Sequence, residues 1–421
     1  MRNNYHKFSI RINALFLRLS RLINLITAYN TKATVKIINI YIFVCMCFLK
    51  GVIHMNIICD KLKLLEGVNI ALKAISGKST MAILECLVIE VKVDTIKLIA
   101  NDLELGIETI IEGQIIEEGS VAVNAKIFYE IIRKLPSDEV NISVDPNFTM
   151  NISGGKAKFN ISVNSTEEFP FLPNIVKDNH ITISQFTLKE IIRQTVFSIS
   201  DNENTKIMTG ELFEIKGNQL KVISLDGHRI SIRKVELKES YTDISVIIPG
   251  KTLIEISKIL NGGIDDEVNI FFTEKHALFE FANTVVLSRL IEGEYYKVDK
   301  MLSSDYETKL TVSKKEMLDC IDRTTLLIKE SEKKPVIIDV TDKGMGFAMH
   351  SAIGSMDEEI EATKEGKDIM IGFNPRFLID ALRVIDDEEI TIYMINPKAP
   401  CFIKNKEESY IYLILPVNFN I

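Results

Sequence analysis

The chain is poor in the residues that mark metal centres, disulfide scaffolds and common catalytic sites. Its 421 residues include six cysteines and six histidines. The cysteines are scattered, and the one close pair, Cys45 and Cys47, is too little for a metal site. The others read as reduced thiols of a cytosolic protein. The histidines (His6, His54, His180, His228, His276, His350) do not cluster. H-E-x-x-H, G-x-S-x-G and G-x-G-x-x-G are all missing. "SGKST" (Ser76–Thr80) ends like a phosphate-binding loop, but Leu72 stands where that loop needs glycine. Asp226 and His228 in "LDGHRI" could form an acid–base pair, yet no nucleophile motif accompanies them. Zinc-finger spacing, a basic zipper and an aromatic-rich RNA-binding signature are also absent. Nothing here points to an enzyme, a metal or a cofactor.

Acidic residues are missing from one region only. Residues 1–54 carry eight Lys/Arg and no Asp or Glu. Of the chain's 50 basic residues, 42 therefore face all 58 acidic ones in the remainder, a net of −16. An evenly acidic surface of that size repels nucleic acid, so a nucleic-acid role requires basic residues gathered on one face. The apolar run Ile37–Ile53 behind the basic leader is near the lower limit for a membrane span and lacks a small-residue cleavage site. Residues 1–54 read as an extension outside the working protein, and Met55 as the start of the first domain. A membrane anchor is the competing reading, to which a cytoplasmic protein without membrane contact is preferred.

What the chain has in abundance is repetition. "VAVNAKIFYEIIRKL" (121–135), "VIIPGKTLIEISKIL" (246–260) and "IMIGFNPRFLIDALRVI" (369–385) each read as a short strand, a turn and an amphipathic helix. Their first helical charges, Lys126, Lys251 and Arg376, lie 125 residues apart both times. About 60 residues earlier in each case lies another helix (60–76, 184–200, 313–328), with Asp60, Ser184 and Ser313 as N-caps. Alternating strands fill the space between, and an acidic turn and further strands follow each second helix. The spacing predicts three similar α+β domains at 55–178, 179–308 and 309–421, with two helices each against antiparallel sheets. A repeat this long is no solenoid, and each copy can hold its own core. Edge strands are expected to pair across the domain junctions, because open edges invite aggregation.

The three repeated helices share a polar face. Lys126, Glu130 and Arg133 stand at i, i+4 and i+7, as do Lys251, Glu255 and Lys258, and Arg376, Asp380 and Arg383. Such a face can be a solvated one laced by ion pairs. Three equivalent copies in an acidic protein suggest a second use, meeting phosphates without reading sequence. Lys189 and Arg193 lie on the polar side of the helix at 184–200.

The three-repeat plan, "NDLELGIET" (101–109), "LDGHRI" (225–230), "IPGKTLIEISKILNGG" (248–263), "IGFNPRFLIDAL" (371–382) and "YIYLILPV" (410–417) resemble the bacterial DNA polymerase III beta subunits, the beta sliding clamps. The resemblance covers 55–421. It implies a non-enzymatic processivity factor: a head-to-tail homodimer closing six domains around double-stranded DNA and tethering the clamp loader, the polymerase alpha subunit and other clamp-motif proteins. It implies DNA contacts at Lys78, Lys126, Arg133, Lys251 and Lys258, to which Lys189, Arg193, Arg376 and Arg383 are added from the polar faces. The implied dimer interface sets Phe159 and Ile161 against Leu327 and Ile328. The implied peptide pocket comprises Met208, Leu225, Gly227, His228, Arg229, Ile230, Tyr296, Met301, Leu413 and Leu415. The chain departs from the family in having Leu225 for a threonine and Tyr296 for a proline, and "STMAIL" lacks the usual proline. An alternative the sequence leaves open is a diverged paralogue that scaffolds proteins and does not serve replication.

Overall fold

The computed structural model describes residues 54–75, 81–302, 305–328 and 334–419. The Ile37–Ile53 run, "SGKST" with Lys78, and the pair Cys45/Cys47 lie outside these. Six α-helices occur among the described residues, two per repeat. They are α1 (Lys61–Ala71), α2 (Ala125–Lys134), α3 (Gln185–Thr195), α4 (Gly250–Ile259), α5 (Lys314–Thr325) and α6 (Pro375–Val384). The three expected caps form: Asp60 Oδ1 accepts from Lys63 N at 3.0 Å, Ser184 Oγ from Thr187 N at 3.1 Å, and Ser313 Oγ from Glu316 N at 3.4 Å. Each satisfies a backbone donor that the helix itself leaves open. The first helices stop earlier than the sequence pattern suggests; α1 and α3 tighten into short 3₁₀ turns, Leu72–Ala74 and Val196–Ser198.

The helices of a pair are tied by one recurring bond. Lys61 Nζ donates to Leu135 O (2.5 Å), Lys189 Nζ to Leu260 O (3.1 Å) and Lys314 Nζ to Ile385 O (2.8 Å). The three acceptors are the C-caps of α2, α4 and α6, where a cation meets both an orphan carbonyl and the negative end of the helix dipole.

All strands pair antiparallel in four sheets. The three strands after α2, α4 and α6 begin at equivalent glutamates: Glu139–Val144, Glu267–Phe272 and Glu389–Met394. The second repeat departs from three short strands, with two long segments, Gly210–Leu225 and Arg229–Pro249. Their register shifts on either side of Gly217, whose φ of +57° suits glycine.

The repeats join through their sheets, as the sequence led us to expect. Thr284–Arg289 pairs with Leu105–Ile111, aligning Val286 with Ile107, and Thr109 Oγ1 meets Thr284 Oγ1 at 2.9 Å in the interior. The Arg229–Pro249 segment pairs with Tyr410–Ile414, aligning Ser231 with Tyr412. Among the strands that end their sheets are Ala157–Ser162 in the first repeat and Ser355–Ile360 in the third.

Apolar alternation buries one side of each sheet against the helices. One core runs through the first two repeats, and a second fills the third. Cys59, Cys86, Cys320 and Cys401 are free, buried thiols, and burial pushes Cys59, Cys320 and Cys401 up to about 12.

One acid lies inside the second repeat. Glu211 is fully buried; one carboxyl oxygen takes the Thr195 hydroxyl at 2.9 Å, and the other has no partner among the described residues. Burial, opposed by the Thr195 bond, pushes it from 4.5 up to about 8. A raised acid contributes stability that is complete below the unfolded value and is lost as pH climbs through the folded one. Glu211→Gln is therefore expected to remove a loss on the order of 3 kcal/mol between pH 5 and 8. Urea midpoints at the two pH values check this, and parallel wild-type and variant curves would contradict it.

Candidate functional site

Two features stand where the sequence places function: the charged faces of α2, α4 and α6, and the junction of the second and third repeats. Asn124 and Asn374 cap α2 and α6, while Pro249 precedes α4 with no side-chain cap. All three helices bury one side and leave their basic residues in water; Lys126, Arg133, Lys251, Lys258, Arg376 and Arg383 are exposed.

The middle acid behaves differently from one copy to the next. On α2, Glu130 binds Arg133 at 2.6 Å, with Lys134 at 3.8 Å. On α4, Glu255 binds Lys258 at 2.7 Å, while Lys251 reaches Glu203 at 3.4 Å. On α6, Asp380 turns away from its own helix and binds Arg229 at 2.6 Å. Arg383 then meets only Asp322 at 3.5 Å, and Arg376 has no ion-pair partner among the described residues. Lys126 has none either. Surface pairs of this kind are worth at most about 1 kcal/mol and yield readily to a stronger anion. Lys189 and Arg193 are placed otherwise. Lys189 caps α4, and half-buried Arg193 binds Glu190 at 2.5 Å and Asp386 at 2.9 Å across the junction.

The residues of the implied pocket converge at that junction. The turn between the long segments is set by Asp226, whose Oδ1 accepts from His228 N (2.9 Å) and Arg229 N (3.1 Å). Gly227 takes φ +90° there, a conformation costly for any residue with a Cβ. Leu225 faces Ile230 across the ladder, Ile230 faces Leu413 on its other side, and Leu415 N donates to His228 O at 2.9 Å. Met208, Leu225, Ile230, Leu413 and Leu415 belong to one apolar cluster. Tyr296 (45% exposed) and Met301 (54%) follow the cluster's Ile291 in the chain, and Tyr296 meets Tyr295, which packs on the cluster, edge-on with centroids 6.3 Å apart. The surface is an apolar floor of three paired strands, with Met208, Tyr295 and Leu415 packed against it.

Arg229 holds this floor to the third repeat. Its guanidinium donates to Asp226 (2.9 Å), Asp380 (2.6 Å) and Phe197 O (2.5 Å) and lies over the rings of Phe377 (4.5 Å) and Phe197 (5.4 Å). His228 stacks on Phe377 with centroids 6.0 Å apart. Asp226 is thus spent on the turn and on Arg229, and the His228 ring packs as a wall. Phe377, Phe197 and Asp380 also meet at this junction, and the sequence reading assigned none of them to it. Phe377 reads as ordinary core on a helical wheel, and no local signal distinguishes it.

At the outer strands, Phe159 is 37% exposed and Ile161 half-buried. Leu327 and Ile328 are also half-buried against the third core, and their neighbour Leu326 is the exposed one at 78%. Lys156 and Lys158 flank the first edge; Asp357, Glu359 and Glu361 project from the other. No described helix is long and apolar enough to cross a membrane.

Family models for the DNA polymerase III beta subunit match the chain in order: the N-terminal domain at residues 55–173, the central domain at 182–297 and the C-terminal domain at 299–418. The beta sliding clamp of Staphylococcus epidermidis is 34% identical over 364 residues, 84% of this chain and 96% of its own. A solved chain from Eubacterium rectale, provisionally described as a DNA polymerase III beta subunit, is 60% identical with a TM-score of 0.84. The Bacillus subtilis sliding clamp is 33% identical with the same score. Each of these two structures aligns over 87% of this chain and 100% of its own.

Arg229→Ala strands Asp226 and Asp380 in a partly buried setting and is expected to cost about 3 kcal/mol. Arg376→Ala removes an exposed charge and is expected to change stability by less than about 0.5 kcal/mol. Thermal unfolding of the two variants checks the difference, and equal midpoints would contradict the anchoring role.

Proposed function

The chain belongs to the DNA polymerase III beta-subunit family of sliding clamps, which are processivity factors, and from that premise we propose that two copies close head to tail around duplex DNA. The observation that carries the proposal is the pair of outer strands. Ala157–Ser162 and Ser355–Ile360 end the sheets at opposite ends of the repeat series, one basic and one acidic. Pairing them extends the sheet across the subunit boundary in the same way that strands already join the repeats. Phe159 and Ile161 then pack against Leu326, Leu327 and Ile328. A heterologous contact of this kind forms a ring when its rotation closes and a filament when it does not.

The domains in this proposal span 55–178, 179–308 and 309–421, with residues 1–54 outside the clamp. Lys126, Arg133, Lys251, Lys258, Arg376 and Arg383 face the DNA, and the resemblance adds Lys78 to the contacts. They contact phosphates only, so the ring is held by topology and slides. Lys189 and Arg193 sit behind them, aligning the helices. Met208, Leu225, Gly227, His228, Arg229, Ile230, Tyr296, Met301, Leu413 and Leu415 receive short apolar peptides of the polymerase alpha subunit, the clamp loader and other partners. Leu225 and Tyr296 narrow the floor relative to the family's smaller residues. The protein has no catalytic activity of its own and works in the cytoplasm. Matches to beta sliding clamps through all three domains favour this reading over a diverged scaffold.

Loaded onto nicked circular DNA, the protein is expected to stay bound through gel filtration and to be lost once the circle is linearised. Equal retention on both forms would contradict encirclement.

A further inference from the structure

A second concave surface is distinct from the peptide pocket. It is an open groove of about 580 Å³ on the second repeat, between the long paired segments and the stretch 290–299. That volume lies within the range of binding clefts. Its floor includes Leu212, Ile223 and Ile247, which belong to the same apolar cluster as Leu225, Ile230 and Leu413. Strand geometry explains the continuity. Lys221, Ile223 and Leu225 are alternate residues of one segment and share a face, so the groove and the pocket occupy one side of one sheet. Tyr296, assigned to the pocket by resemblance, also lines the groove.

The two sites differ in charge. Five carboxylates line the groove, Glu214, Glu274, Glu292, Glu294 and Asp299, against two lysines, Lys221 and Lys297. Lys221 is held by Asp299 at 2.7 Å, and Glu214 by Lys216 at 2.9 Å. Glu274, Glu292 and Glu294 are exposed and have no ion-pair partner among the described residues.

We propose that this groove is a second docking subsite, contiguous with the peptide pocket, that takes a lysine- or arginine-rich flank of a partner peptide whose apolar anchor sits in the pocket. It rests on the pocket reading above. The apolar floor receives the aliphatic stems of the basic side chains, and the free carboxylates meet their heads at the rim. Partners sharing one apolar anchor are thereby ranked by the charge beside it, a contribution that salt weakens.

The test uses the full-length protein and fluorescence anisotropy. The probes are a fluorescein-labelled leucine- and phenylalanine-rich hexapeptide, and the same peptide extended by four lysines at its N-terminus or its C-terminus. One extension is expected to tighten binding about five-fold at low salt and to lose that gain near 0.5 M salt. The Glu274→Gln/Glu292→Gln/Glu294→Gln variant is expected to abolish the gain while binding the plain peptide as wild type does. If the plain peptide binds and neither extension adds affinity, or if the variant keeps the gain, the groove proposal is overturned. If the plain peptide does not bind, the pocket reading fails first.

Discussion

Main-chain pairing between strand edges is the interaction on which the architecture depends. Each repeat is a sheet-rich unit that cannot leave its edges open without inviting association. Thr284–Arg289 closes against Leu105–Ile111, and Arg229–Pro249 against Tyr410–Ile414, so two junctions are built from ladder hydrogen bonds. With those formed, Ala157–Ser162 and Ser355–Ile360 are among the strands that still end their sheets, one in the first repeat and one in the third. Their opposite charge gives them a direction, because like ends repel and unlike ends attract. The helices follow from the same arrangement. Each repeat sets its two helices against the buried side of its sheets, and the basic faces of α2, α4 and α6 recur at equal sequence steps.

The second junction carries more than a ladder. Arg229 ties the turn at Asp226 to Asp380 and to two aromatic rings, while Arg193 and Gln194 reach Asp386. Taking Asp380 out of the charged face of α6 has a consequence. The acid that offsets Arg133 on α2 and Lys258 on α4 is unavailable to Arg376 and Arg383, so the third face is the most openly basic. The same residue therefore fixes the wall of a surface proposed to bind peptides and sets the charge of a surface proposed to meet DNA.

Periodic features were legible in the sequence because they are local. The caps at Asp60, Ser184 and Ser313 and the strand-to-helix units follow from hydrogen-bonding needs and apolar spacing within about fifteen residues, and the three-repeat plan from their recurrence every 125 residues. The pocket floor was reached through resemblance, and the geometry assembles it from three strands whose residues lie almost 200 positions apart. What could not be read is contact across repeats. Lys189 looks like one more surface cation, yet it caps α4, in the role that Lys61 and Lys314 play in the other two copies. Asp380 looks like an intrahelical partner and is captured from outside the helix. Phe377 reads as core and is a wall. In each case the side chain had two physically sensible partners, and only the tertiary arrangement chose between them.

The central claim is that two oppositely charged edges close two chains into a ring. Sedimentation equilibrium across a hundred-fold concentration range tests it most directly, with wild type beside Phe159→Asp. The account predicts a wild-type mass of two chains that does not grow with concentration, and a monomeric variant. A wild-type monomer, or a mass that keeps rising as open oligomers form, would contradict it.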